Sequence, residues 1–185
     1  MAEELTYQYL SECFHLNVET GVLTWIERPA SHFTSERGHK AWRTKYLGKE
    51  AGVVSTTGYR YLMLSGRCRV AHRIVYALAH GLGWDDVPEI IDHVNGVKSD
   101  NSVANLRPAN HRLNGYNSRT PARNTSGFKG VSYRPENGKW RADIASPSGK
   151  ITLGSFLTKE EASAAYEKAA RDLHGEFYRN TQAAA

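Results

Sequence analysis

Residues 90–114 constrain the fold more tightly than any other stretch of the chain. Ile90-Ile91 runs directly into Asp92-His93, the pattern by which a short buried strand delivers an acid and an imidazole to a sheet edge. Asn95-Gly96 follows, and both residues tolerate the positive φ that a tight turn demands. Asn105-Leu106-Arg107 can return as a second strand. Pro108 lacks the N–H that a first helical turn leaves unpaired, so it is placed to open a helix carrying His111 and Asn114. Strand, strand and helix would gather Asp92, His93, Asn105 and Asn114 around one point.

Asn105 stands twelve residues after His93, and Asn114 nine further on. With Asp92 this spacing resembles the ββα-metal motif of HNH endonucleases, in the variant whose last histidine is replaced by asparagine. The flanks agree: Ala71-His72-Arg73-Ile74-Val75-Tyr76 and Asp100-Asn101…Asn105-Leu106-Arg107 resemble the HNH domains of phage homing endonucleases. The resemblance implies a freestanding homing-type enzyme that nicks or cleaves double-stranded DNA with site preference. Asp92 and Asn114 would hold one divalent cation, His93 would be the general base, and Asn105 would fix the His93 ring by hydrogen bonding. A carboxylate and a carboxamide are hard oxygen donors, so Mg²⁺ or Mn²⁺ is expected before Zn²⁺. An imidazole titrates near neutral pH, which suits the base's task. His111, one turn before Asn114, is the alternative ligand. His72 is a second candidate for contact with the site, although a histidine at a helix start more often has a structural role. Asp100-Asn101 reads as a turn cap.

Charge distribution supports a polyanionic partner. The chain has 24 Lys+Arg against 19 Asp+Glu in 185 residues, a formal net charge of +5. Residues 71–114 are about neutral to acidic, as a cation site should be, while both flanks are basic. Cys13 and Cys68 are far apart and form no Cys-x-x-Cys pair, which argues against a disulfide framework and against a thiolate zinc staple. An acidic N-terminus and the lack of a span-length apolar run predict a cytoplasmic protein of a bacterial or phage-infected cell, without membrane contact. A monomer or dimer without a small-molecule cofactor is expected.

The expected fold class is α+β, in several modules. Residues 1–70 read as an N-terminal DNA-clamp module of helix and hairpins. It has a helix over 5–14, a turn at 17–21, a strand over 22–26 with Trp25 in the core, and further strands over 53–54, 59–64 and 67–70. Between them, residues 28–49 carry six basic side chains interleaved with Phe33, Trp42 and Tyr46. Lys40, Arg43 and Lys45 there read as DNA contacts, with a solvated loop as the alternative. Residues 71–117 form the nuclease module, beginning with a helix over 72–80 that Gly81 stops. Residues 118–125 make a basic linker whose Arg119 and Arg123 could follow a groove.

Residues 126–180 read as three strands (127–134, 139–144, 150–156) and one helix. Thr158-Lys159-Glu160-Glu161 is a capping box, and Ala162, Ala165, Tyr166, Ala169 and Leu173 share one helical face. Gly-Phe-Lys-Gly-Val, Gly-Lys-Trp-Arg-Ala, Leu-Gly-Ser-Phe and His-Gly-Glu-Phe resemble the DNA-binding domain of plant ethylene-response factors. That resemblance implies a sheet in the major groove, with Lys129, Arg134, Lys139, Trp140 and Arg141 as contacts, Trp140 being equally readable as core. Ser132 and Glu136 depart from the arginine and tryptophan of plant members, so the plant target sequence does not carry over. Residues 181–185 read as a frayed tail. The alternative to an enzyme is a non-catalytic, sequence-specific DNA-binding regulator built on this domain.

Overall fold

The structure is a computed structural model that describes residues 5–118, 120 and 124–179. Arg119, Arg123 and the 181–185 tail therefore lie outside the described residues. The class is α+β, with several small antiparallel sheets, and the chain divides into two compact units at Asn110.

In the first unit, Thr6 caps α1 (Tyr7–Cys13) by accepting from Tyr9 N–H. The chain then turns directly into the hairpin β1 (Phe14–Asn17) and β2 (Val22–Trp25). Its turn is held by Asn17 Oδ1, which accepts from the N–H groups of Glu19 and Thr20, and by Gly21 at φ +67°. Residues 36–46 depart from the loop reading: they form the helix α2 (Glu36–Tyr46), capped by Ser35. Its Trp42 packs against the core, edge-on to the buried Trp25 at 5.6 Å. That packing selects a helix where charge and turn chemistry alone leave a loop open.

Next come β3 (Val53–Val54), β4 (Arg60–Leu64) and β5 (Arg67–Val70), a three-stranded sheet whose Leu62 and Leu64 are buried. Ser65-Gly66, both at positive φ, make the two-residue turn between the last two strands. The helix α3 (Ala71–His80) buries Ile74 and Val75 completely and stops at Gly81, which takes the left-handed conformation. Arg73 then clamps the following loop, donating to the carbonyls of Trp84, Val87, Pro88 and Glu89. This loop leads into β6 (Ile90–His93), paired antiparallel with β7 (Leu106–Ala109). Pro108 therefore lies in the strand, opposite Ile91, and does not open a helix. An edge position of this two-stranded ribbon accommodates its missing N–H.

The second unit starts with α4 (His111–Asn117), followed by β8 (Val131–Arg134), β9 (Lys139–Ser146) and β10 (Gly149–Phe156) in the order β10-β9-β8. The first of these strands begins four residues later than the pattern suggests, because 127–130 form turns. Gly130 at φ +72° sits where any Cβ would enter the Tyr166 ring. The helix α5 (Lys159–His174) carries both reciprocal bonds of the Thr158–Glu161 capping box. It buries Ala162, Ser163, Tyr166, Ala170 and His174, whereas Leu173 is exposed. The buried face is thus rotated from the expected one. His174 wins the inward position because its Nε2–H donates to the Ala145 carbonyl at 2.8 Å and its ring stacks on Tyr116 at 3.6 Å.

Candidate active site

Register places the acid and the imidazole of β6 in different surroundings. Asp92 faces Arg107 across the ribbon, and Arg107 donates from both Nε (2.9 Å) and Nη2 (2.8 Å) to Asp92 Oδ2. Both side chains are largely buried, so this pair is a charge-assisted hydrogen bond in a dry setting.

His93 is buried and ends the strand. Its Nε2 lies 3.1 Å from Asn101 Oδ1, an acceptor, so Nε2 carries the proton and the basic lone pair of the neutral ring is on Nδ1. The His72 ring stands edge-on to His93 at 5.1 Å, and Tyr59 flanks both at 5.5 and 6.0 Å. Lys98 lies over the Tyr59 ring at 4.7 Å and donates to the Thr57 carbonyl. Burial, with His93 and Arg73 nearby, lowers the pKa of His72 to about 3, so it is a neutral wall of the site at physiological pH.

The asparagines divide the work differently from the family pattern. Asn105 does not orient the imidazole: its Oδ1 accepts from Asn95 N–H (2.9 Å) and its Nδ2 donates to the Asp100 carbonyl (2.7 Å), locking the 95–105 loop. Asp100 accepts from Ser102 and Asn95, and these bonds, Ser102 first, hold its carboxyl below the usual range. Asp100 is the turn cap expected of it. Asn101 is not, being 2% exposed and turned onto His93. The sequence marks Asn101 only by its place beside the loop-capping Asp100 in the family-like Asp100-Asn101 flank.

Asn114 and His111 are exposed residues of α4, within the second unit. The carboxy end of α4 is capped by Lys129, whose ammonium donates to the carbonyls of Tyr116 (2.6 Å) and Ser118 (2.8 Å). Burial, and secondarily Arg179, lowers the Lys129 pKa to about 8. Lys129, expected as a DNA contact, is engaged as a structural cap of α4. Trp140 also turns away from the proposed DNA face. It shares the side of Ala142 and packs with Val131 and Ala162 against α5.

The opposite face of the same sheet carries Arg134, Lys139, Arg141 and Lys150. Three of these cations converge on buried Asp143: Arg141 at 2.9 Å, Lys150 at 3.0 Å and Arg134 at 3.9 Å. Burial alone would raise the Asp143 pKa, but hydrogen bonds from Lys150, Thr152 and Arg141 outweigh it and lower the pKa. In the first unit, Lys40 and Arg43 are exposed on α2 and pair with Glu36 and Glu27, while Lys45 lies over Tyr46.

Among the described residues, no group of three or more His, Cys, Asp or Glu is close enough to hold a metal ion. The Asp92 carboxylate is a hard oxygen donor, of the kind that suits a cation taking most of its coordination from phosphate and water, as Mg²⁺ commonly does.

An acid and an imidazole presented at the end of a two-stranded ribbon, next to a loop locked by asparagines, define the ββ portion of a hydrolytic nuclease centre. A family model for HNH endonucleases matches residues 69–116. Protein 3.8 of Escherichia phage T7 is 35% identical over 89 residues, covering 48% of this chain and 73% of that protein. An uncharacterized HNH endonuclease of Acanthamoeba polyphaga mimivirus is 30% identical over 133 residues, 71% of this chain and 63% of the relative. The C-terminal region is similar to an ethylene-responsive transcription factor of Arabidopsis thaliana, 49% identical over 53 residues, which is 28% of this chain and 20% of that protein. No solved structure matches the chain significantly. The chain belongs to the HNH endonuclease family of DNA endonucleases.

Proposed function

We propose that this protein is a metal-dependent, homing-type endonuclease that hydrolyses phosphodiester bonds of double-stranded DNA with site preference, His93 acting as the general base. The observation that carries the reading is the buried Asp92-His93 pair, with His93 Nε2 3.1 Å from Asn101 Oδ1, a contact that suits the Nε2–H tautomer. Nδ1 then takes the proton of a water as it attacks phosphorus, and the P–O3′ bond breaks. Asp92 and Asn114 would hold one divalent cation, Mg²⁺ or Mn²⁺. When bound, that ion supplies charge neutralisation at the phosphate and the departing oxygen. Arg134, Lys139 and Arg141 on the C-terminal sheet, and Lys40, Arg43 and Lys45 on α2, would hold flanking duplex. No helix among the described residues is long and apolar enough to cross a membrane. The reading places the enzyme in the cytoplasm of a bacterial or phage-infected cell. A DNA-binding regulator would use the C-terminal sheet but has no need of the Asp92-His93 pair.

The test is cleavage of supercoiled DNA with Mg²⁺, with Mn²⁺ and with EDTA. His93→Ala should lose cleavage while its DNA affinity stays within a few-fold, since a base acts mainly in the transition state. Asn114→Ala should be partly restored by high Mn²⁺, and His93→Ala should not. A His93→Ala protein that cuts at the wild-type rate sinks the assignment. Wild-type metal dependence in Asn114→Ala moves the ligand role to His111.

A further inference from the structure

We infer that Asn101 is the positioning residue for the nuclease imidazole, and that Gly21 of the N-terminal hairpin seats the loop that carries it. The inference rests on the reading of His93 as the base.

Asn101 is 2% exposed, and its Oδ1 meets His93 Nε2 at 3.1 Å. An amide oxygen there accepts only from a protonated Nε2, so it selects one of the two neutral tautomers and sets the direction in which Nδ1 points. Asn105, which the family pattern assigns to this task, has both ends of its amide bonded to the loop backbone.

The loop is shaped from within by Asp100, which accepts from Ser102 N–H (3.2 Å), Ser102 Oγ–H (2.8 Å) and Asn95 Nδ2–H (2.6 Å). Those bonds define its curvature but not its height above β6. Its height is set by the hairpin turn, some eighty residues earlier in the chain. Val103 N–H donates to the Val18 carbonyl at 3.0 Å. Gly21 lies directly beneath the Asn101 carbonyl, so that a Cβ there would overlap the Asn101 carbonyl group and crowd Ser102 N. Only a glycine admits this approach, and φ +67° at Gly21 disfavours any side chain independently. The N-terminal hairpin is therefore part of the catalytic apparatus through packing, with no group of its own in the chemistry.

The experiment compares Asn101→Leu, Asn101→Asp and Gly21→Ala with wild type and His93→Ala in the full-length protein. Single-turnover cleavage with Mg²⁺ is measured alongside DNA affinity and the ¹⁵N spectrum of the histidine rings without metal. Asn101→Leu keeps the volume and removes the acceptor. It should lose about 100-fold in rate with affinity unchanged, and its His93 ring should no longer show a protonated Nε2 beside an unprotonated Nδ1. Asn101→Asp keeps an acceptor and should stay within about tenfold of wild type. Gly21→Ala should reproduce the rate loss of Asn101→Leu with native β1–β2 signals.

Asn101→Leu cleaving within threefold of wild type, or giving an unchanged ring spectrum, overturns the positioning role. So does equal loss of rate and of thermal stability in the leucine and aspartate variants, which marks a structural residue. A Gly21→Ala protein at the wild-type rate overturns the seating role. Full activity in His93→Ala is a separate result, because it removes the reading of the site itself.

Discussion

His72 illustrates how a residue outside the sequence motif acquires a consequence from its surroundings. Burial beside His93 and Arg73 lowers its folded pKa to about 3, against an ordinary value of 6.5. Between those values the unfolded chain binds a proton that the folded chain refuses. Stability therefore rises with pH through this window and falls on acidification below about pH 6.5. The slope is roughly 1.4 kcal/mol per pH unit at most. Thermal unfolding of the first unit followed from pH 7 to pH 5 should show this loss, and His72→Phe should flatten it. An equally steep fall in the phenylalanine variant assigns the acid sensitivity to other groups. Asp100 and Asp143, whose carboxyls are held low, lose their contribution only as pH drops below about 3.8, so the two effects separate.

At the scale of elements, α4 is a seven-residue helix too short to be stable by propensity. Its support is the stack of Tyr116 on His174 and the cap from Lys129. A cation at a helix carboxy end contributes about 1 kcal/mol when partly buried. Lys129→Met should therefore speed amide exchange in α4 by roughly fivefold, leaving α5 and the sheet protected. Unchanged exchange in α4 shows that the cap contributes nothing. The capping box of α5 illustrates the opposite situation, in which both partners lie within four residues and needed no tertiary information.

For the molecule as a whole, the arrangement of charge decides which experiment reports on DNA binding. Deleting residues 126–185 would also remove Lys129 and His174, and with them the support of α4. Point variants on the polar face are cleaner. If Arg141 and Lys150 each contact a phosphate, Arg141→Gln with Lys150→Gln should lower the slope of log affinity against log salt by about 2. An unchanged slope shows that this face is not on DNA. Asp143 should keep the remaining cations ordered in that variant, since Arg134 and Thr152 still reach it.

What the sequence determined by itself are the features whose cause is local. The Asp92-His93 strand, the Gly81 helix stop, the Ser65-Gly66 turn and the Thr158 capping box depend on residues a few positions apart, and each formed as read. Tertiary structure decided the rest. Asn101 and Asn105 are chemically identical, and which of them meets His93 follows from a loop height set by Gly21 and Val18. Lys129 reads as a DNA contact until α4 ends beside it, and Trp140 is ambiguous until the register of β9 turns it towards α5. Leu173 yields to His174 because a carbonyl and a tyrosine ring are waiting on the inner side. Periodicity and turn chemistry act through neighbouring backbone, whereas partner choice between like side chains depends on surfaces brought together from distant parts of the chain.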